Sequence, residues 1–314
     1  MNGVRFYCGV SETAWNKHPV ACGEFACISP VKGASARTKA ENRVFVPEGV
    51  LVGQDSGAFQ DSWGDRLNFQ QALDRQRRHA DKYHYTDKII WRVSYDLLID
   101  EVWQAGVRTK RRWTVEQAKS AVSETIAAAA FLKANNSEDY PLCLSVQGVD
   151  AAQYMDCAKE IVPMLDLSRD TLGLGGWCII GKMPKVMMPV FRDSMAQLIP
   201  YAAKQGVKRF HIFGVIYPTA LGELLWLCNQ HGIELSTDSA SPACNPWRGE
   251  WGYGEWRDNS YKVAPVETRG LERARHVAIT RAWLENLHCT QWHKPSPPPK
   301  KIDLSIPMNQ LSMF

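Results

Sequence analysis

Asp55-Ser56-Gly57-Ala58-Phe59-Gln60 comes directly after the apolar run Val50-Leu51-Val52. That order predicts a strand ending in a carboxylate, a tight glycine turn, and an aromatic ring able to lie flat against a planar ligand. Four later segments repeat the design. Asp100 and Glu101 follow Leu97-Leu98-Ile99, and Gln147-Gly148 follows Leu144-Ser145-Val146. Gly175-Gly176 follows Leu172-Gly173-Leu174, and Asp238-Ser239 closes the run from Glu234 to Thr237. A carboxylate and a carboxamide beside open backbone amides can read the edge of a purine through hydrogen bonds. Two further carboxylates suit chemistry at an anomeric carbon, one attacking it to form a covalent glycosyl intermediate and the other moving protons. A single aspartate of this kind is more often a helix cap or turn residue. Five polar or glycine segments at successive strand ends need more than capping to explain them.

Those segments have to be held by a repeating framework. Strand-like runs recur at Val4–Val10, Phe25–Ser29, Val50–Gln54, Ile89–Ile99, Leu142–Gln147, Leu172–Ile180, Arg209–Val215 and Ile233–Thr237. Helical patterns fall between them at 67–84, 114–134, 151–164, 185–204, 218–231 and 268–287, with Thr114 placed as a capping residue three positions before Gln117. Strand and helix alternating along most of the chain predicts an α/β fold, a single-domain (β/α)8 TIM barrel over residues 1–293. Its first two units are irregular. In such a barrel the polar strand ends open into one mouth. From Lys294 onward the run Lys294-Pro295-Ser296-Pro297-Pro298-Pro299-Lys300-Lys301 predicts a stiff, extended linker, and residues 294–314 form an extended C-terminal tail.

Composition narrows the class. The 314 residues are 45% hydrophobic, enough for one large core, and 37 Lys+Arg against 33 Asp+Glu leave a formal net charge of +4. This permits a polyanionic partner without demanding one. Nine scattered cysteines without paired spacing predict reduced thiols. The N-terminus lacks an apolar signal region and no stretch reaches membrane length, so a soluble cytoplasmic protein without a membrane partner is expected.

The five segments together resemble the tRNA-guanine transglycosylase superfamily over residues 25–245. Its acidic D-S-G-[GA]-F-Q turn is matched by Asp55–Gln60, its Asp-Glu pair by Asp100-Glu101, its V-Q-G turn by Val146-Gln147-Gly148 and its Gly-Gly loop by Gly175-Gly176. The nucleophile segment, often D-S-A-S, is matched by Asp238-Ser239-Ala240-Ser241. The resemblance implies Asp238 as nucleophile and Asp55 as the proton-transferring partner. It implies Ser56, Phe59, Asp100, Gln147, Gly175 and Gly176 as the base pocket, with Asp96 a rival to Asp100 on the same run. No redox cofactor is implied. The tRNA-acting members carry a C-x-C-x2-C cluster with a downstream histidine for a structural zinc. Here that stretch, Pro242–Trp251, has Cys244 alone, so no metal ligands are assigned. The departure favours the branch that inserts 7-deazaguanine bases, such as 7-cyano-7-deazaguanine, into phage or bacterial DNA, where the base protects against restriction. Exchange on tRNA is the first alternative, and a non-catalytic nucleic-acid-binding barrel the second.

Charge and aromatics point to the same polymer. Arg75, Arg77, Arg78, His79 and Lys82 cluster on one predicted helix, and Arg108, Lys110, Arg111 and Arg112 follow the strand bearing Asp100. The second cluster belongs to a loop on the catalytic face, where it can contact phosphates. Arg248 and Arg257 are interleaved with Trp247, Trp251, Tyr253 and Trp256, a mixture able to stack on unpaired bases while a target base is extruded. The final residues Gln310-Leu311-Ser312-Met313-Phe314 resemble the Q-L-[SD]-L-F peptide that docks in the bacterial sliding clamp, with Met313 the single departure. A tail of that kind would tether the enzyme to replicating DNA.

Overall fold

A computed structural model describes residues 3–10, 24–30, 46–61, 66–99, 102–104, 107–109, 113–181, 183–240, 254–257, 260–263, 271–287, 289–291 and 294–295. Eight parallel strands close into a barrel: β1 (Arg5–Val10), β2 (Phe25–Ile28), β3 (Leu51–Gln54), β4 (Ile89–Val93), β5 (Leu142–Val146), β6 (Thr171–Leu174), β7 (Arg209–Ile212) and β8 (Glu234–Ser239). Each strand pairs with the next in sequence, and β8 returns to β1 with Tyr7 opposite Asp238. The fold is the (β/α)8 barrel expected from the alternation. The irregular first units supply β1 and β2 in full.

Seven helices are described: α1 (Ala58–Asp61), α2 (Phe69–Lys82), α3 (Val115–Asn135), α4 (Ala151–Ile161), α5 (Pro184–Lys204), α6 (Pro218–Gln230) and α7 (Leu271–Glu285). Side-chain caps position two of the long ones. Thr114 accepts from Gln117 N at 3.3 Å while Gln117 Oε1 accepts from Thr114 N at 2.9 Å, and Asn68 forms the same box with Gln71 at the start of α2. Strands end earlier than the apolar runs suggested. β4 stops at Val93 rather than Ile99, and β7 at Ile212 rather than Val215. The apolar residues beyond those ends, Ile99 and Val215 among them, are buried instead of extending the sheet, Ile99 beside Ala118 and Ala121 of α3.

The period-two alternation of the strands divides the core into two layers. Outward-facing Phe6, Ile28, Leu144, Phe210 and Ile212 pack under the helices. Inward-facing Tyr7, Cys27, Trp91, Val93, Cys143 and Phe213 fill the barrel itself. Gly53 makes room for the largest of these rings, because a Cβ there would lie 2.1 Å from Trp91 Cζ2. After α7, Cys289–Gln291 pairs antiparallel with Lys294–Pro295 against α6. Paired structure thus continues two residues into the segment expected to be linker. Among the described residues no helix is long and apolar enough to cross a membrane, and Cys8, Cys27, Cys143, Cys157, Cys178 and Cys228 are free thiols.

Candidate active site

Because all eight strands run in parallel, the residues at their C-terminal ends converge on one mouth, and a cavity of about 280 Å³ opens there. Its walls include Ser29, Asp55, Ser56, Phe59, Asp96, Gly175, Gly176, Phe213, Gly214 and Asp238.

Asp55 is the first residue past β3. Its N–H donates to Ile28 O at 2.9 Å, continuing the ladder one residue beyond the strand. Gly57, at φ 80°, then turns the chain into α1 through a conformation few side chains tolerate. The Asp55 carboxylate accepts from Ser29 Oγ through Oδ2 and from Ser56 N at 2.7 Å through Oδ1. Burial pushes its pKa up, and the charge of Asp238 adds to the rise; the Ser29 hydroxyl and the N–H groups of Ser56 and Gly57 oppose it without cancelling it. The turn is braced from behind. Arg75 Nη2 donates to Ser56 O at 2.7 Å and pairs with Asp61 at 2.8 Å, and Gln76 Nε2 donates to Asp55 O at 3.1 Å.

Asp238 faces the cavity from β8, with its side chain 18% exposed. Its Oδ1 accepts from Gly214 N at 2.9 Å and lies 3.1 Å from His211 Nε2. Both contacts use the same oxygen, so Oδ2 carries neither of them.

Asp96 is buried on the loop after β4 and borders Gly175, whose Cβ, if one were present, would lie 3.5 Å from Asp96 Oδ2. Arg66 Nη2 holds the loop by donating to Asp96 O at 3.0 Å while pairing with Glu124 at 2.6 Å. The Gly175-Gly176 turn has its own support. Tyr154 Oη donates to Gly175 O at 3.1 Å and accepts from Trp177 Nε1 at 3.0 Å.

Other expected site residues are placed differently. Gln147 is fully buried and does not line the cavity. Its Nε2 donates to Leu97 O and to Thr125 Oγ1, both at 2.5 Å, so the carboxamide ties the Asp96 loop to α3. The α2 arginines serve the scaffold: Arg77 forms a two-pronged pair with Glu138 at 2.7 and 2.8 Å, and Arg75 braces the Asp55 turn. Arg108 lies on Val107–Thr109, opposite Trp103 in an antiparallel pair with Val102–Gln104. Asp100, Lys110, Arg111, Arg112, Arg248 and the tail residues Gln310, Leu311, Met313 and Phe314 lie outside the described residues. Ser29, His211, Gly214, Arg66 and Tyr154 were not picked out from the sequence. A histidine inside the apolar run Arg209–Val215 was the one available signal among them.

No family model matches the chain, and no curated protein matches it either.

Proposed function

We propose that this barrel is a base-exchanging transglycosylase. The observation that supports it is the pairing of Asp55 and Asp238 across one small cavity, each with a different set of hydrogen-bond donors. At about 280 Å³ the cavity is near the lower end of ligand pockets, roughly 300–1,000 Å³, and suits one heterocyclic base with its sugar at the rim. Asp238 Oδ2 attacks C1′ as the C1′–N9 bond breaks, and the bonding pair leaves with the purine. Asp55, whose burial favours the protonated form, gives its proton to the departing base. An incoming 7-deazaguanine returns a proton to Asp55, bonds to C1′ through N9 and releases the Asp238 ester. Asp96 and the Gly175-Gly176 backbone line the cavity where they can hydrogen-bond the base edge, with Phe59 against its face.

DNA is the polymer we favour, on the strength of the sequence resemblance, the lone Cys244 where tRNA-acting members bind zinc, and the clamp-like tail. Mass spectrometry of nucleosides from DNA and from tRNA of cells with and without the protein tests this. A 7-deazaguanine nucleoside that depends on the protein and occurs in DNA supports the proposal. The same nucleoside in tRNA alone moves the activity to RNA, and none in either polymer rejects base exchange. Removal of residues 306–314 should leave turnover on short oligonucleotides intact and lower modification in cells.

A further inference from the structure

His211 sits on β7 with no exposed surface, directly behind the cavity wall. Its Nδ1 is 2.9 Å from Ser236 Oγ and its Nε2 is 3.1 Å from Asp238 Oδ1. Ser236 Oγ in turn lies 3.0 Å from Phe210 O, which can only accept. A serine hydroxyl has one hydrogen. Once that hydrogen is donated to Phe210 O, Ser236 Oγ can only accept from the ring, so Nδ1 carries a hydrogen. A neutral ring would then turn a bare Nε2 toward a carboxylate oxygen, setting two acceptors against each other. One more proton in the His211–Asp238 couple removes the conflict.

The surroundings allow that extra charge. Tyr7 from β1, Trp91 from β4 and Phe213 from the end of β7 surround the imidazole, with ring centroids at 5.5, 4.9 and 4.9 Å. Aromatic faces favour a nearby cation. The other titratable groups of this layer stay neutral, because burial pushes up the Tyr7 hydroxyl and the Cys27 and Cys143 thiols. Arg5 lies beyond Tyr7, and Asp55 faces Asp238 across the cavity.

We propose that His211 is a positioning residue for Asp238, and that the couple holds one proton between Nε2 and Oδ1 so that Oδ2 is presented to the cavity. The proton count stands on the geometry alone; its catalytic consequence rests on the proposed role of Asp238 as nucleophile. When Oδ2 bonds to C1′, Oδ1 becomes the ester carbonyl and keeps its bonds to His211 and Gly214. When the incoming base takes C1′, the C1′–Oδ2 pair returns to the carboxylate, and the same two donors stabilise the charge that reappears. His211 therefore acts mainly on release of the ester.

The first test is nitrogen NMR of histidine-labelled full-length protein, with His211 assigned by its loss in His211→Gln. Both ring nitrogens protonated at neutral pH in the wild type, and a neutral ring in Asp238→Asn, is the expected result. A neutral ring in the wild type, its Nδ1 accepting from Ser236, overturns the proposal. The second test follows the covalent adduct by intact-protein mass spectrometry during exchange on an oligonucleotide. His211→Phe should slow turnover roughly 10²–10³-fold, the loss expected for one donor to a developing charge, with the adduct accumulating. His211→Gln, which keeps a donor, should recover most of the rate. Equal losses in both variants with no adduct also overturn the proposal. A wild-type protein that exchanges no base on DNA or tRNA defeats the functional reading instead, and the NMR result still decides the proton count.

Discussion

Asp55 and Asp238 look into the same cavity from β3 and β8, yet their surroundings differ in kind. Asp55 receives a serine hydroxyl and a backbone N–H, and burial drives it toward the protonated form. Asp238 receives a histidine and a backbone N–H on a single oxygen, an arrangement that anchors one side of the carboxylate and frees the other. The first environment suits a group that stores a proton, the second a group that forms a bond. Identical side chains acquire different work from what stands behind them.

The largest expected effect removes one side of this contrast. Asp238→Asn keeps the shape but cannot form the ester, and kcat for base exchange on an oligonucleotide should fall on the order of 10⁴-fold or more. Substantial exchange by this variant would overturn the nucleophile assignment. Asp55→Asn should be milder, roughly 10²–10⁴-fold, because it removes general acid–base help while leaving the nucleophile in place.

The same substitution makes an opposite prediction for stability. A carboxyl whose folded pKa lies above its unfolded value favours folding when protonated. That contribution is fully present below the unfolded pKa and is lost as pH rises toward and through the folded one. Above the unfolded pKa the wild type therefore carries a cost, of taking up a proton or of burying a charge, which asparagine lacks. The melting midpoint of Asp55→Asn should rise by roughly 2–4 °C at neutral pH, with the gain shrinking at acid pH. A lower midpoint at neutral pH would show that Asp55 is held as a well-satisfied anion.

Ser29→Ala removes a donor that favours the carboxylate, so the Asp55 pKa should rise further. A charge-assisted hydrogen bond worth about 1.5 kcal/mol corresponds to about one pH unit. The alkaline limb of the exchange profile should move up by that amount, and a downward move would reverse the assigned sign. The smallest effect belongs to Arg75→Ala, which loosens the Asp55 turn from behind and should cost less than about 10-fold in kcat/KM. The His211 resonances should not move in that variant, since Arg75 braces the opposite wall.

The barrel was legible because alternation of strand and helix needs no detail, and three of the four polar segments with described positions line the cavity at the mouth. What escaped depended on partners remote in sequence. Asp96 was legible as an acid rivalling Asp100, but its setting was not: β4 ends at Val93, and Ser94–Ile99 form a loop from which Asp96 lines the cavity. Gln147 turns away because Thr125, on a helix twenty-two residues earlier, offers its amide an acceptor. His211 looked like one polar residue in a core strand. Its meaning comes from Ser236 and Asp238 on the neighbouring strand, at inward positions that only the parallel register aligns.

The aromatic layer inside the barrel has a kinetic consequence. Tyr7 and Trp91 line a separate cavity at the opposite end of the strands, Phe213 lines the one at the mouth, and the buried His211 lies between. With the Trp91 ring filling the space over Gly53, the upper chamber has a floor, and among the described residues the mouth is its doorway. Under the proposed exchange, the outgoing base must clear that doorway before its replacement can enter. The two bases would then compete for one vacancy, and an excess of the outgoing base would slow the entry of its replacement.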